Sequence, residues 1–527
     1  MIRHQLPFAF GLAVVLAALV TFALSSCSKH HDDPVAASSQ DLTLDASSTV
    51  QSASNTPSAV LSGRYLVVGY TATSARTKID WAFAQTGSTT WSTCSVGNDN
   101  PSGCNGGSAT PKPGGVQTWI GKGAMAADGN GNVVYVVLGS STATGTQVDL
   151  VAALVSTDDG HTFKASQIVN DGVPGTTCAA STEDLPDATF DMTTNPPTLW
   201  VVWRDKSASS FGGCVRRGTL TPADGGGFTG GITWLDNAKS VAGMDRENDT
   251  DSTMGQGGMR IQAGDGVVTI GYSNNDELKT CTDTTLIPIT WETVSTFDNG
   301  QNWSNSSKVF HTDNFLSCPF GRLQNGNRAF DFLRANDGTY YFVAGDWAPD
   351  GGAGGLHLFS SSGSSVIVNN TGSGTPTNFV WREWCRGFLD APDGSAPDAG
   401  PATNWSPPGV PCPSGALATN QSYLLPTLVS DGTDRLGLLF YQGPNISLIR
   451  PVFEENLTPR LPSGSWQGIT LAGSLSSPSG SVLLQHLSAV SSSPQAAEGC
   501  TAPGSFYAFF LTADGTTPTL RSTSIIP

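Results

Sequence analysis

The chain has 527 residues, of which only 13% are charged, with 61 Gly, 32 Pro and 13 Trp. Low charge, many glycines and many tryptophans point to short strands joined by turns. Asp+Glu outnumber Lys+Arg by 43 to 26, so the net charge is −17, a surface that repels nucleic acid and anionic lipid alike.

Residues 1–26 have the zones of an export signal: Arg3 and His4 begin it, and the run from Phe8 to Leu24 is almost wholly apolar. Leu24-Ser25-Ser26-Cys27 follows and resembles the lipobox of bacterial lipoproteins. That resemblance implies a diacylglycerol on Cys27, cleavage before it, and, with Ser28 next, sorting to the outer membrane. Each buried methylene of the acyl chains contributes about 0.8 kcal/mol, so a triacylated terminus would hold the protein to the cell envelope. Residues 27–58, rich in Ser, Ala, Thr and Asp, read as a tether, and 59–527 as the folded domain.

Export places the cysteines in an oxidising compartment. Sequence neighbours pair as Cys94–Cys104, Cys178–Cys214, Cys281–Cys318 and Cys385–Cys412, leaving Cys500 over. No pair has zinc-ribbon spacing.

Self-similarity dominates the rest. A strand of small and apolar residues, a turn with Asp, Asn or Gly, and a strongly apolar strand recur about seven times. The copies begin near Ser58, Gly123, Asp187, Met259, Arg328, Thr427 and Leu487. Their period-2, β-branched character predicts an all-β fold, and radial repetition predicts a β-propeller of six or seven blades; a pair of β-sandwiches is the rival.

Two units end in a more specific pattern. Ser156 to Phe163 reads STDDGHTF and Thr296 to Trp303 reads TFDNGQNW. Both resemble the Asp boxes (BNR repeats) of sialidases and related propellers. There the aspartate accepts turn N–H groups, glycine supplies the backbone conformation, and the aromatic tucks between blades. The resemblance places these boxes on the face away from the active site, so Asp158 and Asp298 are read as fold markers.

A propeller's ligand face is built from loops entering the innermost strands and loops leaving the second ones. Here the entry loops carry Glu183, Asp184 and Asp187, then Asp245 to Asp251, then Arg328 and Asp331. The exits carry Trp203-Arg204-Asp205, Asn274 to Glu277 and Asp346-Trp347. Paired carboxylates suit acid and base work on a glycosidic bond, which selects Asp205, Glu247 and Asp276 as catalytic candidates. Guanidinium forks suit sugar carboxylates and an indole suits a sugar face, which selects Arg204, Arg246, Arg328, Asp331 and Trp347 for binding. Sialidases use three arginines, a tyrosine–glutamate pair and an acid/base aspartate. Their Arg-Ile-Pro segment is missing here; the sequence has Met259-Arg260-Ile261-Gln262, and no residue maps onto the tyrosine–glutamate pair. The acidic run Asp245 to Asp251 is oxygen-rich enough for calcium, but its spacing is not that of an EF-hand. No other cofactor motif is present. Two functions fit: an envelope lipoprotein that binds or hydrolyses glycans, or a non-enzymatic propeller serving as a protein-interaction or adhesion platform.

Overall fold

The computed structural model describes the strands and tight turns between Thr43 and Ile526. Residues 1–42 and most longer connections lie outside the described residues, among them 97–115, 171–177, 206–211, 245–254, 276–285, 317–329, 346–355, 362–380, 386–422 and 473–486. Among the described residues no helix is long and apolar enough to cross a membrane.

The described strands form seven antiparallel sheets of four or five strands, besides one two-stranded ribbon. Blade 1 comprises Ser54–Ser62, Tyr65–Ala72, Ile79–Gln85 and Ser92–Val96, and blade 2 comprises Thr118–Ala127, Val133–Ser141, Val148–Ser156 and Ala165–Ile168. Blade 3 is Glu183–Asp191, Thr198–Asp205, Gly212–Pro222 and Phe228–Trp234, with Lys239–Ser240 added at its edge. Blade 4 is Gly255–Gly264, Val267–Asn275, Leu286–Thr296 and Ser307–Leu316. Blade 5 is Phe330–Arg334, Tyr340–Gly345, Leu356–Ser361 and Arg382–Cys385; blade 6 is Tyr423–Ser430, Leu436–Gln442, Asn445–Phe453 and Pro462–Ala472. Blade 7 takes Ser488–Ser491, Phe506–Asp514 and Thr517–Ile526 from the end of the chain, and Thr43–Leu44 and Ser48–Ser52 from its beginning. The first strand of each blade packs on the first strand of the next, and that of blade 7 returns to blade 1. A closed ring of this kind is a β-propeller.

Alternation explains the packing. Along the second strand of blade 2, Val133, Tyr135 and Val137 face blade 1, where they meet Val67, Ile79 and Trp81. Val134, Val136 and Leu138 point the other way, against Leu199, Val201 and Trp203 of blade 3. Both faces are dry, so the strand is apolar without interruption, and each such side chain contributes about 1.5–3 kcal/mol. The same sandwiching recurs between blades 3 and 4, 4 and 5, and 7 and 1.

The N-terminal strands correct the expected boundary at residue 58. Thr43–Leu44 and Ser48–Ser52 pair antiparallel with Thr517–Ile526, so the presumed tether supplies the outer edge of blade 7. Polar stretches such as STVQS do not read as strands because an outer strand needs backbone pairing more than an apolar face.

Both octads form the same turn between the third and fourth strands. Asp158 accepts bonds from Ser156 Oγ (2.8 Å), Thr162 N–H (2.8 Å) and Thr162 Oγ1 (2.6 Å). Asp298 accepts from Thr296 Oγ1 (2.8 Å), Gln301 N–H (3.0 Å), Asn302 N–H (2.9 Å) and Asn302 Nδ2 (2.6 Å). Gly160 and Gly300 both have φ of 77°. Phe163 is buried edge-on to Trp81 of blade 1, whose indole N–H donates to Gly160 O (3.0 Å). The turn is thus clamped to the preceding blade. These turns define the lower face; the upper face is where the chain enters first strands and leaves second ones.

Candidate functional site

The first strands of blades 1, 2, 3, 4 and 6 each carry an irregularity near their upper ends, for example between Asp184 and Asp187 and between Gln256 and Met259. Such bulges re-aim the side chains that follow. At matching heights stand Ser58, Asp187, Arg260, Asp331, Thr427 and Ser488, with Ala124 in the place of blade 2. They tie neighbours together. Met125 N–H donates to Ser58 Oγ (3.0 Å), Ile261 N–H to Asp187 Oδ2 (2.9 Å), Leu428 N–H to Asp331 Oδ2 (2.8 Å) and Ala59 N–H to Ser488 Oγ (3.0 Å). Thr427 Oγ1 donates to Leu487 O (3.2 Å).

Three of these positions are charged. Arg260 lies between Asp331 (Nε to Oδ1, 3.1 Å) and Asp187 (Nη1 to Oδ1, 3.6 Å), and its side chain is 20% exposed. Burial pulls the Arg260 guanidinium down, but Asp331 and Asp187 outweigh it and the net shift is upward. Burial pushes the Asp331 carboxyl up, against the pull of Arg260 and of the Leu428 and Phe332 N–H groups; the Asp187 charge adds to the rise. One guanidinium is shared by two acids from two blades, with each acid also holding the backbone of the next blade.

Above this ring, blade 3 gathers further charge. Arg204 stands opposite Asp184, and Asp205 opposite Glu183, across the first two strands. All four are almost fully buried. Burial lowers the Arg204 guanidinium to about 10, with Asp184 opposing. Asp205 Oδ2 accepts Cys178 N–H (3.2 Å), and Glu183 Oε1 accepts Asn170 Nδ2 (3.3 Å). Cys178 and Cys214 form the expected disulfide, with Cα atoms 5.7 Å apart. Asp205 and these two sulfurs lie together, but joined sulfurs offer no thiolate to a metal. Cys94 is also disulfide-bonded. For the other expected pairs, at least one cysteine side chain lies outside the described residues.

Of the residues selected from the sequence, Arg204 and Asp205 therefore both end the second strand of blade 3, on opposite faces of its sheet. Asp331, expected in an entry loop, lies within the strand Phe330–Arg334 and belongs to the ring. Arg246, Glu247, Asp276, Arg328, Trp347, the acidic run from Asp245 and Cys27 lie outside the described residues.

Sequence reasoning passed over Arg260 as a functional residue and did not find the buried acid–tyrosine contacts. Tyr272 donates to Glu292 Oε2 (2.7 Å) within blade 4, between residues paired in register. Asp80 lies opposite Tyr70 and close enough to Tyr70 and Tyr135 to hold both phenols protonated, with burial the larger cause. The available signal was an acid at an inward-facing strand position, where alternation calls for an apolar residue.

No protein-family model and no curated protein matches the chain. Similar solved structures exist. A Trypanosoma rangeli sialidase in complex with the inhibitor DANA aligns over 76% of this chain and 54% of its own, at 10% identity and a TM-score of 0.35, so the match spans about half of that protein. An intramolecular trans-sialidase from Ruminococcus gnavus aligns over 74% and 90%, at 10% identity and a TM-score of 0.40. A protein of unknown function from Dyadobacter fermentans aligns over 92% and 99%, also at 10% identity and 0.40. The propeller assignment rests on the strand order and the closed ring of first strands, not on these likenesses.

Proposed function

We propose that this protein is an envelope lipoprotein, lipid-anchored through Cys27 at the outer membrane, whose propeller binds glycans at the upper mouth of its channel over blades 3 to 5. The observation that carries the reading is the concentration of charge there. Asp187, Arg260 and Asp331 line the ring, with Arg204, Asp184, Asp205 and Glu183 just above. Carboxylates accept bonds from sugar hydroxyls, and guanidinium groups donate to sugar acids. In the chain these strands are entered or left by connections that carry Arg246, Glu247, Asp276, Arg328 and Trp347, the residues we assign to ligand contact.

Binding is the primary activity in this reading, because the Asp205 carboxylate is engaged by Cys178 N–H beside a disulfide. Hydrolysis would fall to Glu247 and Asp276. The test is a glycan array probed with the full chain, with mass spectrometry of the supernatant for released sugar. Specific binding that Arg246→Ala and Arg328→Ala abolish, at unchanged circular dichroism, supports the proposal; released product adds catalysis. A folded protein silent across acidic and neutral glycans would overturn it in favour of a protein-interaction platform.

A further inference from the structure

The direction of the N-terminal strands fixes where the chain leaves the domain. In each blade the first strand descends from the upper to the lower face, the second rises, the third descends and the fourth rises. Thr517–Ile526 is the third strand of blade 7, so Ile526 marks the lower face. Thr43 pairs with Ile526, Ser48 with Ser522 and Ser52 with Thr519. The chain therefore enters at the lower rim of blade 7, climbs its outer edge, and crosses at the top into Ser54–Ser62, the first strand of blade 1.

We infer that the lower face, with the turns at Ser156–Phe163 and Thr296–Trp303, is the surface apposed to the membrane, and that the charged upper mouth points away from it. The inference rests on the lipid-anchor reading of Cys27. Cys27 and Thr43 are sixteen positions apart, so the connection spans about 55 Å at most when fully extended. Strands of nine residues, as in blade 2, make the domain about 30 Å deep. To press the upper mouth onto the bilayer, the connection would have to run the depth of blade 7 outside the outer strand before reaching its lipid. An upright domain leaves that length for clearance. The ligand would then come from outside the anchoring bilayer, as a free polymer or the surface of another cell, and not from a headgroup of that bilayer.

The test uses the full chain reconstituted into vesicles containing a fluorescent acceptor lipid. A donor is introduced as a non-natural amino acid, leaving the cysteines untouched, at Gln301 in a lower turn or at Thr142 at the upper end of blade 2; both are exposed. Intact mass of the purified protein reports lipid on Cys27, and Cys27→Ser is the unanchored control. The expected result is a lipidated mass with energy transfer from position 301 at least about twofold above that from 142, given faces about 30 Å apart. Equal or reversed transfer in a lipidated protein overturns the orientation while the anchor stands. An unlipidated mass overturns the anchor, and the orientation with it.

Discussion

Replacing Arg260 by Met removes a cation that two buried acids from different blades share. Asp187 keeps its bond from Ile261 N–H (2.9 Å) and Asp331 its bond from Leu428 N–H (2.8 Å), but both lose the ion pair with Arg260. Leaving a buried charge uncompensated costs about 3–5 kcal/mol, and the side-chain exposure of 20%, 12% and 11% for Arg260, Asp187 and Asp331 is too small for solvent to relieve much of it. The loss should depend on pH. Without Arg260 the Asp331 carboxyl, already pushed up by burial, rises further above its unfolded value. A raised acid contributes stability that is fully present below its unfolded pKa and is lost as pH rises through its folded pKa. The variant's deficit against the parent should therefore be small near pH 4 and largest near pH 7. Urea unfolding followed by tryptophan fluorescence at several pH values measures it. Asp331→Asn in the Arg260→Met background should recover part of the loss, because the amide oxygen still accepts the Leu428 N–H. A deficit under about 1 kcal/mol, or one that does not change with pH, would refute the shared-cation account.

Gly160 and Gly300 share a φ of 77°, yet a Cβ at Gly160 would lie 2.5 Å from Val67 while one at Gly300 would stand 3.3 Å from Trp200. Gly160→Ala should thus cost more than Gly300→Ala, about 3 against about 1 kcal/mol, read from melting or denaturation curves. Asp298→Ala removes the acceptor of four bonds at a half-buried turn and should cost about 1–2 kcal/mol. Burial opposes but the turn's donors win, holding the Asp298 carboxyl below its ordinary value, so its contribution is present above the unfolded pKa and fades as pH falls through the folded one. Acid titration of the parent and Asp298→Asn should diverge least at the lowest pH. A chain starting at residue 59 exposes the edge of Thr517–Ile526 and should melt lower and self-associate, whereas one starting at residue 40 should match the full chain in calorimetry and light scattering.

The repeats were legible because second strands are dry on both faces: VVYVV, LWVVW and VVTIGY stand out of a polar, glycine-rich background. Within the described residues, each of the seven copies falls on the first and second strands of one blade. The octads were legible because their turn demands a particular aspartate and glycine. The outer strands of blade 7 were not, since Ser48–Ser52 has no apolar period to betray it. Nor was the ring. Asp331 and Ser488 are residue types of loops, and only the closure of the blades shows that they receive N–H groups from the next strand. Arg260 lay in view inside Met259–Gln262, but its partners come from strands more than 70 positions away on either side. The disulfide Cys178–Cys214 could be paired from proximity alone because it staples neighbouring parts of one blade.

Hydrogen–deuterium exchange of the full chain, with and without the glycan that binds it best on the array, tests the central claim most directly. Protection should appear at the upper ends of blades 3 to 5, in Glu183–Asp191, Gly255–Gly264 and Phe330–Arg334 and in the connections that enter them. Protection confined to the lower turns at Ser156–Phe163 and Thr296–Trp303, or spread over the outer strands, would contradict a ligand site at the upper mouth.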